Sequence, residues 1–164
     1  MVIVLDIGNT RVKAGLFSGD RLLKAAAMPH GDAGAMGTFV AGAPAQRAAF
    51  GSVAGDDLPV LAALRERLPV ERILPEGPLP IRTAYRTPGT LGIDRLANAV
   101  AAAARFPGRA SLAIGLGTCI VHDLVDARGV HRGGAISPGF RMRAAAMHCH
   151  SATLPLVEPS ADAP

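Results

Sequence analysis

The chain opens on a short unbroken apolar run, Val2-Ile3-Val4-Leu5, the pattern of a strand covered on both faces. Gly8-Asn9-Thr10 supplies residues that tolerate turn dihedrals. Val12, Ala14 and Leu16 then alternate with Arg11, Lys13 and Gly15, the period-two signature of a half-buried strand. Gly19-Asp20 predicts the next turn, and Arg21 to Met28 a third, antiparallel strand. Residues 30–46, rich in Gly, Ala and Pro, read as a weak helix followed by a loop. A buried strand is expected from Ala48 to Val53. The acidic pair Asp56-Asp57 is placed to cap a helix with Leu61, Leu64 and Leu68 on one face. Val70 to Leu74 reads as another strand, and this strand–helix–strand order implies parallel pairing with a right-handed crossover.

Pro75 to Pro88 holds four prolines and reads as a loop. From Leu91 the period lengthens: Leu96, Val100 and Ala103/Ala104 share a helix face, and Phe106-Pro107-Gly108 stops it. Leu112 to Leu116, Ile120 to Val125 and Val130 to Ile136 read as three strands joined by Gly117-Thr118 and by the turn Asp126-Ala127-Arg128-Gly129. Pro138-Gly139 opens a helix running to about His148, and the proline-rich tail from Pro155 is expected to fray.

The arrangement strand, glycine turn, strand, turn, strand therefore occurs over residues 2–28 and again over 112–136. In both copies a glycine and a threonine sit at the first turn: Asp6-Ile7-Gly8-Asn9-Thr10 and Gly115-Leu116-Gly117-Thr118. Backbone amides and a threonine hydroxyl at a hairpin tip make a phosphate cradle. Two cradles suit one polyphosphate, the logic of an actin-like kinase. The fold class expected is α/β, a ribonuclease-H-like (actin-like ATPase) fold. Residues 1–110 would form one complete domain and 111–164 the start of a second, duplicated one.

Composition narrows the class. The chain is 49% hydrophobic and 18% charged, which excludes an intrinsically disordered protein. No apolar run approaches the roughly 18 residues of a membrane span, and the first residues lack a basic leader, so a cytoplasmic protein is expected. Net charge is +4, with the nearest approach to a basic cluster in Arg128, His131, Arg132, Arg141 and Arg143. That balance suits an anionic small substrate, and one Tyr with no Trp leaves no aromatic platform for nucleic acid. Cys119 and Cys149 have neither disulfide-framework nor metal-site spacing. His131, His148 and His150 read as solvated surface residues.

Three acids carry the candidate chemistry. Asp6 ends the first strand beside the glycine turn, placed either to hold Mg²⁺ against nucleotide phosphates or to close the hairpin as an Asx turn. Lys13 adds positive charge to the same cradle. Asp94 falls in the first turn of a helix, where the dipole keeps it ionised. It is either a plain helix-start acid or, with Arg95 and Tyr85 nearby in sequence, a group that accepts a proton from a substrate hydroxyl attacking phosphorus. Asp123 lies on the strand after the second cradle, facing either it or the core, with His122 pointing to the other side. Gly133-Gly134 and Pro138-Gly139 serve either as turns or as places of close backbone approach.

Asp6-Ile7-Gly8-Asn9-Thr10 with Lys13, Tyr85, Gly92-Ile93-Asp94-Arg95, Gly117-Thr118 and Gly133 to Gly139 stand in the order found in type III pantothenate kinases, and the chain resembles that family over residues 1 to about 157. The resemblance implies the acetate and sugar kinase/Hsp70/actin fold, a homodimer, and phosphorylation of pantothenate by ATP as the first step of coenzyme A synthesis. It implies that Asp6, Ile7, Gly8, Asn9, Thr10, Arg11, Val12 and Lys13 bind ATP phosphates with Mg²⁺, joined by Thr118. Tyr85, Gly92, Ile93, Asp94 and Arg95 would contact pantothenate, with Asp94 as proton acceptor. Family members commonly need K⁺ or NH₄⁺, held by an Asp in the second loop; here that position is Gly115. Such kinases continue beyond 164 residues, so a chain cut short within its second domain is expected. Two other readings are a catalytically impaired homologue that keeps fold and dimer surface, and a ribonuclease-H-like nuclease using Asp6, Asp94 and Asp123 for two metals.

Overall fold

The computed structural model describes residues 1–158, and its elements follow the hydropathy closely. The chain divides into two compact units: Met1–Pro78 with Gly89–Leu96, and Leu79–Pro88 with the chain from Ala97 on.

In the first unit, β1 (Val2–Ile7), β2 (Val12–Ser18) and β3 (Arg21–Met28) form antiparallel hairpins. After α1 (Ala33–Ala41) come β4 (Arg47–Ser52), α2 (Pro59–Arg65) and β5 (Val70–Arg72). The sheet order is β3-β2-β1-β4-β5, with β4 parallel to β1 and β5 parallel to β4. This is the five-stranded mixed sheet of the ribonuclease-H-like class. Its core lies on one face: Ile3, Leu5 and Ile7 pack with Met36, Phe39 and Val40 of α1 and Val60, Leu61 and Leu64 of α2. β1 is thus covered on one face rather than two, since Val4 is exposed. An unbroken apolar run cannot by itself separate the two cases.

Two local expectations fail on chemistry. The acidic pair does not cap α2, whose N-cap is Leu58 with Pro59 behind it. Asp56 instead holds Arg72 at 2.6 Å, a cross-element pair that hydropathy does not announce. The proline-rich stretch also is not wholly loop: it contains a two-residue strand, β6 (Arg82–Thr83), and ends in a 3₁₀ turn at Pro88–Thr90.

In the second unit, α3 (Ile93–Arg105, its first turn lying in the first unit) is followed by β7 (Ser111–Leu116), β8 (Cys119–Val125), β9 (Val130–Pro138) and α4 (Phe140–Cys149). The antiparallel β9-β8-β7 repeats the order β3-β2-β1, and α4 follows β9 as α1 follows β3. β6 adds in parallel to β9. Ala99 and Ala102 of α3 pack on Val125. Residues 155–158 carry no helix or strand; the rest of the proline-rich tail lies outside the described residues. Among the described residues no helix is long and apolar enough to cross a membrane.

The basic cluster is partly neutralised at the β8–β9 turn, where Asp126 pairs with Arg132 at 2.6 Å and with Arg128 at 3.7 Å. The Val130 backbone N–H foremost, and after it the Arg132 side chain, hold the Asp126 carboxyl down to about 2.

Two outcomes follow from this packing. Leu64→Ala, in a fully buried contact between α2 and the sheet, should cost about 2–5 kcal/mol in urea denaturation, and a loss below about 1 kcal/mol would contradict that packing. Because the Asp126 carboxyl is depressed, its contribution is complete above the ordinary value of 3.8 and is lost as pH falls through about 2. A carboxyl NMR titration should find its midpoint near 2; one near 3.8 would refute the turn as described.

Candidate active site

The first glycine loop is braced on three sides. Gly8 N–H donates to the Arg11 carbonyl at 3.1 Å, and the Ile7 carbonyl accepts from Val53 N–H at 3.0 Å. The Gly8 carbonyl lies 2.8 Å from His30 Nε2, a partner that nothing in the sequence pattern flagged. Asn9, Thr10 and Arg11 stand exposed at the tip. Asp6 sits just before the loop, opposite Lys13 in the β1–β2 ladder, and Lys13 Nζ reaches Asp6 Oδ2 at 3.0 Å. Their side chains are 47% and 73% exposed, so the pair is worth only about 0.2–1 kcal/mol. Both groups can turn to a ligand at little cost.

Asp94 is built from the same unit. Asp6 pairs in register with Gly51 of β4, and a Cβ at Gly51 would stand 3.0 Å from the Ile93 side chain. Ile93 therefore fills the place of the missing side chain and sets the first turn of α3 against the strand beside Asp6. The Asp94 carboxylate folds back over Gly92, with Oδ1 only 2.5 Å from where a Cβ would be. Arg95 is 6% exposed. The first glycine loop and Gly92 to Arg95 thus share one unit.

Tyr85 and Thr118 belong to the second unit. Tyr85 N–H donates to Thr83 Oγ1 at 3.1 Å, and its ring lies beside Gly133, 3.9 Å from a Cβ position there. In the second loop Gly117 N–H donates to the Cys119 carbonyl at 3.0 Å and Gly139 N–H to the Thr118 carbonyl at 3.1 Å. A Cβ on Gly139 would overlap the Gly117 and Thr118 carbonyl oxygens, so this glycine serves close approach. Gly133, at φ +95°, serves backbone conformation instead.

Two expectations are corrected here. His131 is not a surface residue; it is fully buried, with Nε2 3.1 Å from Asp123 Oδ1. Asp123, also fully buried, is therefore a core group and not a solvent-facing metal ligand, which removes the third acid from the nuclease reading. His148 and His150 are exposed, and among the described residues no three His, Cys, Asp or Glu gather to hold a metal. The chemistry of Asp6 fits Mg²⁺, which takes one or two carboxylates plus substrate phosphates. The residues around Gly115 do not fit K⁺. Gly115 has no side-chain oxygen, and among the described residues the polar side chain nearest its Cβ position is the Asn98 amide, with Nδ2 at 3.4 Å.

The repeated sheet with glycine–threonine hairpin tips defines the fold class of actin-like ATPases. A sequence profile of type III pantothenate kinases matches residues 2–164. The chain is 37% identical to a type III pantothenate kinase of Bacteroides fragilis over 158 residues, covering 96% of this chain and 65% of that one. It is 35% identical to that of Phocaeicola vulgatus, covering 100% and 68%. The crystal structure of a protein described as a Baf family transcriptional activator from Campylobacter jejuni superposes with a TM-score of 0.52 at 20% identity, over 90% of this chain and 59% of that one; it shows the fold. The chain belongs to the type III pantothenate kinase family, and it spans about two thirds of the length of these relatives.

Gly139→Ala should push the Gly117–Thr118 loop off its seat. The expected result is a stability loss of about 1–3 kcal/mol with faster amide exchange at Thr118 and Cys119. Unchanged exchange there would show the contact to be slack.

Proposed function

We propose that the chain provides the phosphate- and pantothenate-handling machinery of an ATP:pantothenate 4′-phosphotransferase, the first step of coenzyme A biosynthesis. The observation that carries this is Asp94, folded over Gly92 on a helix turn seated beside the Asp6 strand, in a chain of this family. In this reading residues 1–110 supply the first phosphate loop and the pantothenate segment, and 111–164 the second loop. The cytoplasm and a homodimer go with it.

The residues then take distinct roles. The amides of Asn9 and Thr10, with Lys13, bind phosphate oxygens, and Thr118 adds a hydroxyl. Asp6 would hold Mg²⁺, which when bound neutralises phosphate charge. Tyr85, Gly92, Ile93 and Arg95 orient pantothenate. Asp94 accepts the proton of the substrate hydroxyl as its oxygen bonds to the γ-phosphorus and the bond to the ADP oxygen breaks. Phosphoryl transfer needs positioning more than a strong base, so an ordinary carboxylate suffices. K⁺ takes no part in this reading, since Gly115 has no side-chain oxygen to hold it. The same glycine favours a second reading, a homologue that binds both substrates but turns over poorly.

Pantothenate-dependent ADP release decides between them. Asp94→Asn should lower kcat by about 10²–10⁴-fold with ATP binding retained. Equal turnover in the variant would overturn the assignment of Asp94. A wild-type chain that binds both substrates without turnover, with K⁺ or NH₄⁺ present, would support the second reading.

A further inference from the structure

The second unit holds a buried polar chain that the phosphoryl-transfer groups do not use. Asp123 Oδ1 lies 3.1 Å from His131 Nε2, and His131 Nδ1 lies 3.0 Å from Thr83 Oγ1. Thr83 Oγ1 in turn accepts from Tyr85 N–H at 3.1 Å. Asp123 and His131 are both 0% exposed. We propose that Asp123, His131 and Thr83 are positioning residues for Tyr85, a hydrogen-bonded relay that fixes the backbone of the segment carrying that ring. Its meaning for substrate rests on the reading of Tyr85 as a pantothenate contact.

For an ionised Asp123 and a singly protonated His131 ring, the donors and acceptors allow one direction. A carboxylate only accepts, so His131 Nε2 carries the proton and donates to Asp123. Neutral imidazole then offers Nδ1 as an acceptor, to which the Thr83 hydroxyl donates. The Thr83 oxygen keeps a lone pair for Tyr85 N–H. With its hydrogen and a lone pair so engaged, on a short strand, Thr83 is a tether and not a nucleophile.

The backbone is shaped to make this contact. Asp123 pairs with Gly134 and Leu124 with Gly133, but Val125 pairs with His131, so Arg132 is an extra residue in β9. Continued without that bulge, the ladder would set His131 opposite Asp126 and on the face away from Asp123. Gly133 at φ +95° permits the bulge, and the bulge turns His131 inward. Thr83 stands directly opposite His131 in the β6–β9 ladder, where Ala84 N–H also donates to the His131 carbonyl at 2.8 Å. β6 has only two residues, so side-chain tethering adds materially to a short ladder. A buried polar pair such as Asp123 and His131 is often no better for stability than apolar residues of equal volume, so positioning is the stronger account of it.

The chain carries its own probe: Tyr85 is its one tyrosine and there is no tryptophan. In the full chain, Thr83→Val should raise acrylamide quenching of tyrosine fluorescence and lower its anisotropy. The pantothenate KM should rise about 3- to 10-fold, more than kcat falls, as expected for one lost hydrogen bond. Thr83→Ser, which keeps the hydroxyl, should restore all three. Valine behaving like wild type, or serine behaving like valine, would overturn the proposal. Independently of any variant's folding, nitrogen-15 NMR of histidine-labelled wild type should find a proton on His131 Nε2 and none on Nδ1; a proton on Nδ1 would overturn the relay. Absence of turnover in wild type would count against the kinase reading, while the fluorescence and NMR results still decide the relay.

Discussion

The pleat of one strand is the constraint on which the first unit depends. Successive side chains of β1 point to opposite faces, so Ile3, Leu5 and Ile7 enter the core while Asp6 cannot. Shifting that register by one residue would bury a carboxylate and expose three large aliphatics, a loss of several kcal/mol. The core thus fixes where the acid stands. Gly51, its partner in β4, lets Ile93 approach on the face of Asp6, so the same register also sets the turn that carries Asp94.

The second unit shows what happens when the pattern is reused with different side chains. The strand order β9-β8-β7 and the helix after it repeat the first unit, and each loop carries a glycine N–H that donates to a carbonyl further along the hairpin. The equivalent of Asp6 is Gly115, whose Cβ position lies beside the Asn98 amide. The same strand order therefore presents a carboxylate in one copy and only backbone and a threonine hydroxyl in the other. Under the proposed function that asymmetry would separate metal holding from phosphate holding without any change of strand order.

Most of the architecture was legible because its signals are local. Period two marks β2, glycine marks the hairpin turns, and the longer period from Leu91 to Arg105 marks α3. The duplicated glycine–threonine tips pointed to the fold class, and the ordered motifs to the family. What stayed hidden has no local signal. A two-residue strand of Arg and Thr carries no hydropathy pattern, and the Asp56–Arg72 pair joins positions far apart in sequence. His131 shares no metal-site spacing with His148 or His150 and so reads as a surface residue, but the extra residue at Arg132 inverts the strand parity behind it and turns it inward. Gly133-Gly134 was visible in the sequence, but its consequence, a buried histidine on the face of Asp123, was not.

The polar groups of the two units are held with opposite strengths, and the difference fits their tasks. Asp6 and Lys13 meet in water, where their attraction is screened and a ligand can separate them. Asp123 and His131 meet where solvent is excluded, so their hydrogen bond is strong and leaving either partner unmatched would be costly. Groups that bind a charged, departing ligand must exchange partners in every cycle, which a buried pair would resist. Groups that aim a backbone segment must not exchange, which an exposed pair could not guarantee. The location of each pair relative to solvent therefore accords with the roles proposed for them, ligand binding for the first and positioning for the second.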